Sequence, residues 1–128
     1  MSQSQSQSQS QSRVQSRFPH FYSFQVFNVA LELVRSLREV IDAVAKQDGD
    51  MAKQLRRART SVPLNIREGN RRHGKDRRYL WSVAAGSADE IVGCLLTAEA
   101  AGYLTMDAII PSLELADRVL AMLHQLTR

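Results

Sequence analysis

The chain has 128 residues, enough for one compact domain and too few for two, and its single cysteine, Cys94, excludes an intrachain disulfide. Hydrophobic residues make up 44% of it and aromatics only 6%, so any core must be mostly aliphatic. The net charge of +4 conceals an asymmetry: ten basic residues between Lys53 and Arg78 face only Glu68 and Asp76, whereas from Tyr79 onward six acids oppose Arg118 and Arg128.

Such a concentration of positive charge points to an anionic partner. No apolar run approaches the roughly 20 residues that span a bilayer. The N-terminus also lacks the apolar segment of a secretory signal. A cytoplasmic protein with no membrane partner is therefore expected.

Residues Ser2 to Ser12 alternate serine and glutamine without an apolar member. Nothing there offsets an ordering entropy of roughly 1–2 kcal/mol per residue. A disordered tail over residues 1–22 is expected, with order beginning near Phe18 to Phe24 and a helical domain over 23–128. From Phe24 to Lys46 the apolar residues recur at helical spacing in three heptad rows, Phe27-Val34-Ile41, Ala30-Leu37-Val44 and Val26-Leu33-Val40. A face this broad packs against more than one neighbour.

Gln47-Asp48-Gly49-Asp50 interrupts that pattern, and Asp50 is suited to cap a second helix from Met51 to Glu68. Its inner side is Met51, Leu55, Ala58, Val62 and Ile66. Pro63 lies inside the pattern and predicts a kink, and Gly69 is expected at the left-handed position past the helix end. A polar, basic loop then leads to a third helix over about Asp76 to Ala101, lined by Leu80, Ala84, Ser87, Ile91, Cys94 or Leu95, and Ala98. Gly86 within Ala84-Ala85-Gly86-Ser87-Ala88 predicts a close backbone approach, because a mid-helix glycine costs roughly 1 kcal/mol against alanine.

Gly102 ends this helix, Thr105 caps the fourth, and Ile109, Leu113, Ala116, Leu120 and Leu123 form its stripe, with Pro111 in the early turns. Together these segments predict an all-α fold, an up-down-up-down antiparallel four-helix bundle behind a disordered tail. The breadth of the first helix's stripe, with Leu96, Ile110 and Leu115 beyond what one core needs, predicts a homo-oligomer.

The run Leu55-Arg56-Arg57-Ala58, Ser61-Val62-Pro63 and Asn65-Ile66-Arg67-Glu68-Gly69 resembles the signature "RRA..SVPANIAEG". Ala84, Gly86-Ser87, Glu90, Leu95, Ala98 and Gly102-Tyr103-Leu104 match a second motif, "A.GS..E....L..A...GYL". Over Phe24 to Arg128 the chain thus resembles the four-helix bundle proteins encoded in intervening sequences of bacterial large-subunit ribosomal RNA genes. That family is related to the accessory variability protein of diversity-generating retroelements. The resemblance implies a helical protomer assembling into a pentamer. For the retroelement branch it implies binding to nucleic acid and to a reverse transcriptase. Three positions depart from the pattern: Arg67 and Arg71 add charge where small residues are usual, and Ala85 removes one.

Ser61, Asn65 and Glu68 share one helix face. With Ser87 and Glu90 on the next helix they are expected to form an interhelical polar network. No nucleophile, phosphate loop or metal-ligand cluster accompanies those carboxylates, so no catalytic site, metal or cofactor is expected. His20, His73 and His124 lack ligand spacing, and Cys94 falls in an apolar stripe. The candidate nucleic-acid-binding residues are Arg56, Arg59, Arg67, Arg71, Arg72, Lys75, Arg77 and Arg78, because arginine's planar fork suits phosphate.

Tyr79 and Trp81 are the only aromatics near the loop in sequence, so contact with an RNA or DNA backbone is expected ahead of base readout. The leading expectation is a non-enzymatic oligomeric adaptor for nucleic acid or a nucleic-acid enzyme such as a reverse transcriptase. The alternative is a homo-oligomeric protein–protein scaffold that does not touch nucleic acid.

Overall fold

A computed structural model describes residues 3–128 and is all-helical, with no strand among them. Its α-helices are α1 (Gln3–Arg17), α2 (Gln25–Ala45), α3 (Gly49–Asn70), α4 (Gly74–Ala100) and α5 (Met106–Thr127), and a 3-10 turn at Pro19–Tyr22 joins α1 to α2. Packing runs from α2 to α3, α3 to α4, α4 to α5 and α5 back to α2. Side-chain pairs fix the directions. Ser61 and Ile66 of α3 meet Ser87 and Trp81 of α4, so those two helices run oppositely. Ser36 of α2 meets Ser112 of α5, while Val26 lies beside Met122 and Leu126, so this pair is also antiparallel.

The core is aliphatic. Val26, Val29, Ala30, Leu33, Leu37, Ile41 and Val44 from α2 face Leu55, Val62 and Ile66 from α3, with Ile91, Leu95, Ile109 and Leu123 completing it. On α4 the buried positions are Trp81, Ala84, Ala88, Ile91, Leu95 and Ala98, so the stripe is rotated by one residue at the start from the expected Leu80 and Ser87. Trp81 causes the shift: as the largest side chain on that turn it takes the interior, and Leu80 is left half-buried.

Helix ends follow local chemistry. Asp48, not Asp50, caps α3, its carboxylate accepting from the Met51 amide at 3.0 Å. Thr105 caps α5 through the Ala108 amide at 3.2 Å. Gly102, at φ +83°, closes α4: its amide reaches the Glu99 carbonyl and that of Tyr103 reaches Ala98, both at 2.9 Å.

Three expectations are corrected. Residues 3–17 form a helix where disorder was expected; Met1 and Ser2 of that tail lie outside the described residues. Glutamine is a good helix former, and helical hydrogen bonds are internal, so the segment closes its own backbone without a core. Arg38 Nη1, donating to Gln7 Oε1 at 3.2 Å, ties it to α2. Gly69 is not past the end of α3 but inside it, on an ordinary right-handed backbone, and its role is packing. Gly86 makes no close approach: it is exposed, and a Cβ there would meet nothing within 4 Å.

Candidate nucleic-acid interface

Between Met51 and Arg67 the chain of α3 contains no acid. At about 100° per residue, Lys53, Arg56, Arg57, Thr60, Leu64, Arg67 and Arg71 fall within a sector of roughly 100°, along about 27 Å of helix. All of them but Arg67 are exposed. The inner side of α3 is taken by Leu55, Ala58, Val62 and Ile66, which forces this charge outward onto one ridge. Leu64 stands in the middle of it, 61% exposed. Lys53 and Arg57 were not among the residues singled out from sequence. The helical period applied from Arg56 through Arg71 would have found them.

The basic residues at the α3–α4 corner divide into two groups. Arg77 Nε and Nη2 donate to the carbonyls of Gly69 and Asn70 at 3.1 and 3.0 Å, while its guanidinium lies 5.2 Å from the centre of the Trp81 ring. It therefore caps the C-terminal end of α3. Trp81 in turn donates Nε1–H to the Ile66 carbonyl at 3.1 Å and rests against Gly69, leaving no room for a side chain there. Arg72 forks onto Glu68 Oε1 at 3.1 and 2.6 Å, and the hydrogen bond and charge of Glu68 raise its pKa above the ordinary value.

Arg67 donates to the Phe21 carbonyl at 2.7 Å and lies over the Phe27 ring at 4.8 Å. Of the candidates, Arg56, Arg59, Arg71, Lys75 and Arg78 form no side-chain hydrogen bond or ion pair among the described residues. Of these five only Arg59 is partly buried.

Three of the five expected network members meet. Ser87 Oγ donates to Ser61 Oγ at 2.7 Å, and Asn65 Nδ2 reaches the Ser61 carbonyl and hydroxyl at 2.9 and 3.0 Å. Glu68 and Glu90 stay out. Glu68 is held by Arg72. Glu90 is exposed on the outer side of α4. Antiparallel pairing of Ser61 with Ser87 sets the two carboxylates roughly 15 Å apart along the helix axes, too far to act on one bond. Another pair was missed: the Ser36 and Ser112 hydroxyls lie 2.8 Å apart between α2 and α5, with Ser112 buried. Two serines far apart in sequence carry no signal of pairing.

The aromatic residues also depart from expectation. Trp81 is buried and unavailable for stacking, and Tyr79 is 65% exposed. Phe21 and Phe27 are distant from the basic loop in sequence, yet folding brings both to Arg67. Cys94 is partly buried, and burial, then the nearby Glu90, raises its thiol pKa. No group of three or more His, Cys, Asp or Glu among the described residues could hold a metal ion. No helix among them is long and apolar enough to cross a membrane.

An all-helical protein, most of whose positive charge is gathered on one helix and the corner that follows, is the class this geometry defines. The chain belongs to the 23S rRNA-intervening sequence protein family, whose model matches residues 22–125. Its fold is similar to the crystal structure of a protein of unknown function from the S23 ribosomal protein family of Bacteroides thetaiotaomicron. The two have a TM-score of 0.73 and are 20% identical, over 80% of this chain and 98% of that one. No curated protein matches the chain significantly.

Proposed function

We propose that the protein is a non-enzymatic, homo-oligomeric adaptor that binds the backbone of RNA or DNA through the α3 ridge and the α3–α4 corner. The observation that carries this reading is the exposed row Lys53, Arg56, Arg57 and Arg71 with no acid from Met51 to Arg67. Unpaired cations on one face of a rigid rod suit a polyanion, and contacts of this kind fix position without reading sequence. A reverse transcriptase as second partner rests on the resemblance to the retroelement accessory protein alone.

The reading includes an up-down-up-down arrangement of α2 to α5, supported by the two antiparallel pairs, and a cytoplasmic location. It also includes assembly into a ring, five-membered by resemblance. Leu96 and Ile110 remain exposed, which supports assembly; Leu115 packs on the core and does not contribute.

The test is binding of a generic RNA hairpin as a function of salt, before and after Arg56 and Arg57 are replaced by alanine. The expected result is weaker binding and a shallower salt dependence with an unchanged thermal midpoint. No binding of the hairpin by the parent chain, with loss of the oligomer in the substituted one, would favour the scaffold reading. One observation favours that second reading: Arg67, Arg72 and Arg77 are already engaged within the protomer.

A further inference from the structure

The segment just before α2 carries aromatic rings that the core does not use. Phe24 and Phe27 pack on the core, but Phe18 and Phe21 do not. Phe18 and Phe21 stack on each other, with centroids 5.1 Å apart and planes 19° from parallel, and His20 tilts against Phe21 at 4.5 Å. Arg17 lies 5.4 Å over Phe18 and Arg67 lies 5.7 Å over Phe21. Arg67 also anchors the segment by its hydrogen bond to the Phe21 carbonyl. Phe21 is nevertheless 40% exposed, above a cleft of about 270 Å³ whose walls include Phe27 and Leu31. The first acid in the chain is Glu32, so the segment that carries these rings brings only positive charge with it. Phe18 to Phe21 also lie before residue 22, where the family match begins.

We propose that Phe21, backed by Phe18 and His20, is a stacking platform for an unpaired nucleobase of a single strand, with the adjoining phosphate facing Arg71. The proposal rests on the nucleic-acid reading above and deepens it, from backbone contact to preference for unpaired strands. Exposure of the ring to water is unfavourable, and stacking against any base relieves it, because every base has a π-face. A base inside a duplex cannot reach such a ring, since it is already stacked. The neighbouring guanidiniums serve the strand's charge: Arg71 follows Arg67 by one helical turn and has no partner among the described residues.

The test compares two fluorescent probes, an oligoadenylate of about ten nucleotides and a blunt-ended RNA duplex without a loop, on the full chain and on Phe21→Leu and Phe21→Tyr. Leucine keeps the apolar cover without a ring face, and tyrosine keeps the face. The expected result is a roughly five- to hundredfold loss of oligoadenylate affinity in Phe21→Leu, recovery in Phe21→Tyr, and unchanged duplex binding and thermal midpoint in both. Full oligoadenylate binding by Phe21→Leu overturns the platform while leaving the ridge intact. Equal loss on both probes also overturns it, since the ring would then be acting through the fold. A parent chain that binds neither probe at low salt removes the underlying nucleic-acid reading itself.

Discussion

Gly69 has no room for a methyl group, because a Cβ there would stand 2.5 Å from both Cδ1 and Nε1 of Trp81. The indole is a rigid ring fixed at Ile66, so it cannot swing aside. Overpacking of this kind costs about 1–3 kcal/mol, while alanine's better helix propensity returns no more than about 1 kcal/mol. Gly69→Ala is therefore expected to lower the midpoint of chemical denaturation. In a Trp81→Phe background the same change should cost less, a coupling that a double-mutant cycle would measure. Arg77→Ala belongs with these two, because it strips two hydrogen bonds from the end of α3. It should lower stability by about 1 kcal/mol and leave the salt dependence of nucleic-acid binding nearly unchanged. At Cys94 burial favours the neutral thiol. Alkylation by a maleimide at neutral pH should be slower in the folded protein than after denaturation, and equal rates would show the thiol to be free.

At the scale of elements, the four long helices were legible because each carries a continuous apolar stripe bounded by polar turn residues. Thr105 and Gly102 could be read from sequence because capping and left-handed closure select residue type directly. Gly69 and Gly86 could not. Both are helical glycines, and only the placement of Trp81 distinguishes the one that is crowded from the one that is not. The site was legible in part for a similar reason. Charge density is a local property and showed in the sequence. Which arginines are spent internally depends on where Glu68, Phe21 and the end of α3 come to lie.

Gly86 and Gly93 sit two turns apart on the exposed side of α4, where an added Cβ meets nothing within 4 Å. In a free protomer, replacing either by alanine should stabilise by up to about 1 kcal/mol. If the substitutions instead dissociate an oligomer in light scattering, this side of α4 lies against another subunit. Removing residues 2–16 is expected to leave the thermal midpoint of the remaining chain nearly unchanged, because residues 7–17 of α1 add nothing to the core. A large drop in that midpoint would show that α1 supports the helices beneath it.

For the whole molecule, the separation of its charges governs behaviour in salt. Each phosphate neutralised by the ridge releases counterion, so log affinity should fall with log salt by about 0.9 per contact on duplex DNA and about 0.7 on a single strand. Replacing Arg71 and Lys75, both exposed, should flatten that slope by one to two such increments for every sequence tested alike. Thermal stability should hold, since exposed cations without ion-pair partners contribute little to it. A slope that stays constant would place the contacts elsewhere.

The chain contains one tryptophan, and it sits where three helices meet: Trp81 belongs to α4, bonds to α3 at Ile66 and lies 5.8 Å from the Phe24 ring at the entrance to α2. The molecule thus carries its own optical reporter at the corner that presents the basic residues. Its emission should be blue-shifted and shielded from iodide in the native state, and should move to the red when the corner opens. Arg77, poised over the same ring, links that signal to events at the surface. A change of intensity on adding polyanion, absent in Arg77→Ala, would let binding be followed without a label.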